Sequence, residues 1–312
     1  MKILVTGGMG YIGSNLVKAL LLENHNVTIL DNLTTNLINE QKGCELVVSD
    51  ITDYENLIRS FEDRKFDVVF HLAAQSSGPA SFKYPELDLR INILGTVNII
   101  RLCDSLKIPR ILFASSFTVY GDNMRHEILT ESLPCDPKSL YAVGKLTGEQ
   151  YLKVYAEKLG ITWNALRMFN VYGPGQDLSR KDQGIVSIFL SYVREGNYIP
   201  VQGKLERFRD LVYIDDVVSA WMLCLEKNIP NQTFNVGSGL KTTIKELIDS
   251  IAMLHNKKVK VEVVGSTPGD MMGCYADISK ARDMLGYDPQ YDLESGLTNF
   301  KNWADQVFGE AA

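Results

Sequence analysis

The chain contains no apolar run approaching the roughly 18 residues that a membrane span needs, so a transmembrane protein is not expected. It also has no block of lysine or arginine that could follow a phosphate backbone. Its 312 residues carry 32 basic and 38 acidic side chains, a net charge of −6, and nucleic acid is not expected as a partner. Cysteine and histidine are sparse. Cys44, Cys103, Cys135, Cys224 and Cys274 lie far apart, as do His25, His71, His126 and His255, and neither set has the paired spacing of a metal site. Reduced thiols and no metal are therefore expected. The opening residues run from Met1 directly into a glycine-rich turn, without a charged and then apolar leader, which predicts a cytoplasmic protein.

The order of apolar segments is more informative. Short β-branched runs at 2–6, 27–30, 46–48, 68–72 and 111–114 alternate with helix-period stretches at 14–23, 54–61 and 91–106. Such alternation predicts an α/β fold whose parallel sheet is covered on both faces. A helix over 141–159 and a strand over 162–166 continue the rhythm, which then breaks at Gly173-Pro174-Gly175, the start of a polar loop reaching Gly184. Helices at 186–194 and 244–254, extended segments at 199–201 and 258–264 and a final helical stretch at 300–307 predict a smaller mixed α/β unit. The cleft between the two, outside the carboxyl ends of the strands, is the expected site.

Thr6-Gly7-Gly8-Met9-Gly10-Tyr11-Ile12-Gly13 joins the first strand to the first helix. Without side chains at Gly7, Gly10 and Gly13 the backbone can approach a pyrophosphate, whose charge meets the free N–H groups where Tyr11 and Ile12 open the helix. Asp31 ends the second strand, where a carboxylate accepts hydrogen bonds from a ribose and repels the extra phosphate of NADP; NAD is expected, with Asn32 assisting. Asp50 and Ile51 are placed to hold the adenine, although Asp50 reads nearly as well as a helix cap. Leu72, Ala73, Ala74 and Gln75 follow the fourth strand, and the two alanines let a cofactor lie against the chain.

Tyr141 and Lys145 stand four residues apart on a predicted helix and share a face, so the ammonium is expected to stabilise the phenolate of a catalytic base. Ser115 and Ser116 sit past the fifth strand, with Ser116 the candidate to share the proton of a reacting hydroxyl.

With these residues the chain resembles, over nearly its full length, the extended short-chain dehydrogenase/reductase superfamily, and within it the NAD-dependent UDP-hexose 4-epimerases. The resemblance implies a Rossmann-type doubly wound sheet at 1–168, with 210–235 returning to it, and a smaller substrate-binding domain at 169–209 and 236–312. It makes Tyr141, Lys145 and Ser116 catalytic and gives Asn92 and Phe169 places beside the cofactor. Ser76, Ser77, Phe117, Asn170, Arg209, Asp270 and Cys274 become substrate contacts, Cys274 being a small residue that leaves room at C2 for an N-acetyl group. Phe117 and Thr118 stand where dehydratases and decarboxylases of the superfamily carry acids, which favours epimerisation. A nucleotide-sugar 4-ketoreductase and another nucleotide-sugar epimerase are the alternatives, with a silent NAD-binding regulator behind them. The family's phosphate-binding arginine is replaced by Thr267, so either another cation, such as Arg282 or Lys204, meets the diphosphate or the nucleotide is held differently. The resemblance also implies a homodimer joined through the helices at 91–106 and 141–159, with Leu94, Val97, Leu102, Leu146, Leu152 and Tyr155 as the apolar positions in view.

Overall fold

A computed structural model describes residues 1–35, 41–121, 126–265 and 272–309. The first half alternates strand and helix: β1 (Lys2–Thr6), α1 (Tyr11–Leu22), β2 (Asn26–Asp31), β3 (Glu45–Val48), α2 (Tyr54–Phe61) and β4 (Val68–His71). Two short helices follow, α3 (Gly78–Lys83) and α4 (Pro85–Asp88), and a wider π-type stretch over Leu89–Gly95 leads into α5 (Thr96–Leu106). Next come β5 (Arg110–Ser116), a 3₁₀ turn at Phe117–Tyr120, β6 (Ile128–Leu129), α6 (Leu140–Tyr151) with a π-type extension to Ala156, and β7 (Thr162–Met168). Ser115 and Ser116 are therefore the last two residues of β5, and not of the loop beyond it.

The second half contains β8 (Asn170–Tyr172), α7 (Ile185–Glu195), β9 (Tyr198–Gln202), β10 (Phe208–Arg209), β11 (Leu211–Tyr213) and α8 (Ile214–Lys227). It closes with β12 (Gln232–Val236), β13 (Thr242–Thr243), α9 (Ile244–Leu254), β14 (Lys260–Gly265), β15 (Gly273–Ala276), α10 (Ser279–Leu285) and α11 (Leu293–Phe308).

Seven strands form one parallel sheet in the order β3-β2-β1-β4-β5-β7-β12. Chain progression reverses between β1 and β4, and a crevice opens at such a switch point because the flanking connections leave on opposite faces. Ile3, Leu4 and Val5 of β1 are fully buried, as a strand covered on both faces must be. The small sheets are β13-β10-β15-β6, β11-β8 and β14-β9. Asp210 ties them to the loop after β12: its buried carboxylate accepts from Ser238 N and Oγ, each at 2.7 Å, and from Gly239 N and Ala276 N, each at 3.0 Å.

Helix α6 lies very close to its neighbours because it has glycine where it touches them. A β-carbon on Gly144 would stand 2.9 Å from Asn92 Cβ, and one on Gly148 would stand 2.6 Å from the Phe113 ring. Leu102 and Leu152 are fully buried in the chain's own core, and Leu146 and Tyr155 pack against it. Leu94 is 40% exposed and stays at the surface, together with Phe82, Leu87, Leu140, Val143, Tyr151 and Val154. Among the described residues no helix is long and apolar enough to cross a membrane.

Candidate active site

A cleft of about 630 Å³ opens over the carboxyl ends of the central strands. At its floor Gly7 takes a left-handed φ of 72°, and a β-carbon there would lie 2.7 Å from Ala73 N. At Gly13 a β-carbon would come 2.0 Å from Gly7 O. Gly10 caps α1 with no side-chain hydrogen bond, and the first-turn N–H groups of Tyr11, Ile12 and Gly13 have no intrahelical acceptor. The cradle suits the pyrophosphate of a dinucleotide, with bare backbone close by and a helix N-terminus aimed into it. Gly13→Ala is expected to yield protein that purifies without NAD and binds it at least tenfold more weakly. Calorimetric titration checks this, and wild-type affinity in the variant would show that the turn can yield.

Asp31 lines the cleft and braces this turn, its Oδ2 accepting from Met9 N at 3.0 Å and its Oδ1 from Leu33 N at 2.9 Å. Asn32 donates to Asp50 Oδ2 at 2.9 Å, and Asp50 Oδ1 accepts from Thr52 N at 2.8 Å. Burial alone would raise the Asp50 carboxyl, but these donors outweigh it and hold it below the usual range. Ile51, Leu72, Ala73, Ala74 and Ser76 complete that part of the wall.

At the other end Tyr141 and Lys145 project from α6 into the same cleft beside Ser115. The Ser116 hydroxyl lies close enough to the Tyr141 phenol to favour its ionised form. Ser116 Oγ also accepts from Thr118 N at 3.3 Å and from Thr118 Oγ1 at 3.0 Å, so Thr118 orients the serine. The two ionisations differ from the expected pairing. Burial pushes Tyr141 up to about 12, with Ser116 opposing the rise and Asp88 adding to it. Burial brings Lys145 down to about 8, with Asp88 working the other way. The ammonium lies 5.9 Å from the Tyr141 ring centroid, and burial sets the direction of the phenol's shift.

Other expected residues stand one layer back. Asn92 and Gln75 bond to each other and to Asp88; Phe117 and Phe169 stack with centroids 5.1 Å apart. Asn170 Nδ2 donates to the Asp210 carbonyl at 3.0 Å. Arg209 sits opposite Cys274 in the β10–β15 pair; Cys274 is buried and is not part of the cleft wall. Ser77 caps α3 and donates to Asp182 at 3.2 Å. Asp270 and Thr267 lie outside the described residues.

Four cleft residues that no motif announced come from the polar loop before α7: Gln176, Asp177, Arg180 and Gln183. The loop starts against α1, where Asn15 Nδ2 donates to the Pro174 carbonyl at 3.2 Å, and ends at Ser76, which exchanges hydrogen bonds with Gln183. Neither Arg282 nor Lys204 lines the cleft; among the described residues its cations are Lys145 and Arg180. The length of that loop was the available signal, since long ordered loops in compact domains tend to be functional.

A doubly wound parallel sheet, a glycine cradle at its switch point and a Tyr-x-x-x-Lys helix across the same cleft define an NAD-binding enzyme of the short-chain dehydrogenase/reductase type. Residues 3–237 match the NAD dependent epimerase/dehydratase family, and the chain belongs to it. The chain is similar to the UDP-glucose 4-epimerase of Thermotoga maritima solved with UDP-glucose, at 32% identity and TM-score 0.94 over 98% of this chain and 99% of that one. It is also similar to the UDP-N-acetylglucosamine 4-epimerase of Methanobrevibacter ruminantium in complex with UDP-N-acetylmuramic acid, at 32% identity and TM-score 0.89 over 98% and 99%. The UDP-glucuronic acid 4-epimerase of Bacillus cereus, solved with UDP-glucuronic acid and NAD, matches at 30% identity and TM-score 0.87 over 99% and 100%.

Proposed function

We propose that the protein inverts C4 of a UDP-linked hexose, interconverting UDP-galactose and UDP-glucose and accepting the N-acetylated pair, through a transient 4-keto sugar. One observation carries the choice of reaction: the two residues after Ser116 offer no acid or base. Phe117 is stacked on Phe169, and the Thr118 hydroxyl is given to Ser116. Elimination of water or loss of a carboxyl group needs a further proton carrier there, whereas epimerisation needs only one proton moved out and back.

In this reading Tyr141 takes the proton of the C4 hydroxyl and Ser116 holds that oxygen in line, itself oriented by Thr118. Lys145 supplies positive charge next to the phenolate as it forms. NAD, which the Gly7, Gly10 and Gly13 turn and Asp31 would hold, would supply the hydride acceptor and donor for both transfers. Because the ketone is held only through its nucleotide, it can turn over between the two transfers, and Tyr141 then gives the proton back. The relatives that act on UDP sugars support the carrier, and the small Cys274 is the residue we propose leaves room for an N-acetyl group at C2.

The test is conversion of UDP-galactose by purified protein with no cofactor added. Sustained formation of UDP-glucose supports the proposal, and a strict requirement for stoichiometric NADH or NADPH sinks it in favour of a 4-ketoreductase. We propose a homodimer as the working form, since Phe82, Leu87, Leu94, Val143 and Val154 leave apolar surface on the α3–α6 side of the molecule. A monomer at micromolar concentration in sedimentation equilibrium, with activity intact, would rule this out.

A further inference from the structure

Asp88 carries a carboxylate into the protein beneath the Tyr141 and Lys145 pair, and the proton transfer described above makes no use of it. The residue is 2% exposed and closes α4. Its Oδ1 accepts from Gln75 Nε2 at 2.7 Å and from Asn92 Nδ2 at 2.9 Å. Asn92 in turn donates to the Gln75 carbonyl at 3.0 Å and accepts from Gln75 N at 3.1 Å. This closed ring of bonds fixes the carboxylate with its second oxygen toward α6. A β-carbon on Gly144 would lie 3.5 Å from Asp88 Oδ2. Gly144 immediately precedes Lys145 and follows Tyr141 by three residues, so the charge sits under the turn of helix that joins them.

We propose that Asp88 is a positioning residue whose buried negative charge keeps the Lys145 ammonium charged beneath the reacting centre. The proposal rests on the reading of Tyr141 as the base. Lys145 is faced by Asp88 from α4, by His71 from β4, by the Phe113 ring of β5 at 5.1 Å and by Tyr141 on its own helix. Burial, aided by Lys145, takes His71 down to about 3, so it is neutral at working pH and cannot substitute for the carboxylate. Glu149, one turn further along α6, is bonded to Arg167 and Ser115. Asp88 is thus the carboxylate that opposes the loss of the Lys145 proton as burial brings the group down to about 8. The same charge raises the phenol, so neutralising Asp88 moves both ionisations towards lower pH.

The experiment compares kcat/KM against pH for wild type, Asp88→Asn and the smaller Asp88→Ser, with an NMR titration of the Lys145 side chain in each protein without substrate. In Asp88→Asn the side-chain carbonyl can still accept both amide bonds, so the first change is close to a removal of charge alone. Both limbs of the profile, and the Lys145 midpoint, are expected to shift down by about one pH unit. A lower profile with unmoved limbs and an unmoved midpoint is what a purely structural prop would give, and it overturns the proposal. Tyr141→Phe with full activity would instead remove the proton-transfer reading, and the NMR midpoint would still decide the role of Asp88.

Discussion

Replacing Tyr141 with phenylalanine is expected to lower kcat on the order of 10³-fold while leaving NAD bound and KM little changed. The ring remains, so the packing of α6 is kept; what disappears is the oxygen that moves the proton. Because burial sets the phenol at about 12, the enzyme works with a base that is mostly protonated until charge gathers around it. Wild-type activity should therefore rise with pH until Lys145, held near 8, begins to lose its proton. Steady-state kinetics on UDP-galactose, with the bound dinucleotide quantified in the same preparation, check the first point. A variant retaining more than a tenth of wild-type kcat would take Tyr141 out of the proton path.

Glu149→Ala is expected to destabilise the fold by about 3–5 kcal/mol, measured by urea denaturation, because it strands a buried guanidinium. Arg167 reaches Glu149 through Nε at 2.9 Å and Nη2 at 2.6 Å, and the side chains are only 7% and 5% exposed. Ser115 Oγ donates to the same carboxylate at 2.5 Å, so the acid joins α6 to the ends of both β5 and β7. Burial works against the Arg167 charge, but Glu149 more than offsets it and raises the guanidinium further, with the Tyr120 ring beneath at 4.7 Å. Replacing both partners by apolar residues should recover much of the loss, since the cost lies in leaving one charge alone. A single variant that loses less than about 1 kcal/mol would mean that water reaches the site and carries the charge.

The sheet was legible because its strands are continuous apolar runs, and Tyr54–Phe61 and Ile244–Leu254 matched their helices residue for residue because one face is apolar and the caps are polar. Helix α8 was not seen. Ile214, Val217, Val218, Trp221, Cys224 and Leu225 recur at the three- and four-residue spacing of one buried helical face, so the stripe was present, but it follows directly on the short strand Leu211–Tyr213 with no cap residue to mark where the helix begins. Strand β12 was missed for another reason: its Asn235 is fully buried and bonded to the Leu129 carbonyl and to Tyr120, a polar residue in a core place. At the site, motifs gave the cradle and the Tyr141, Lys145 and Ser116 positions, since each is a local pattern. Asp88, Arg167 and the cleft loop owe their positions to contacts far along the chain, and no spacing signals those.

Helix α6 presents Tyr141, Lys145 and Glu149 along one side and Gly144 and Gly148 where it is pressed against Asn92 and Phe113. Each glycine costs an isolated helix about 1 kcal/mol relative to alanine. The segment that carries the reactive groups is therefore a poor helix by its own chemistry, and it gains its order by docking onto β5 and the stretch at 85–95. Its helical order is thus borrowed from its neighbours, so a change that loosens β5 or the stretch at 85–95 loosens the chemical centre as well. Close approach, which sets where the phenol stands, and weak local propensity, which makes that position depend on docking, have the same origin in two missing side chains.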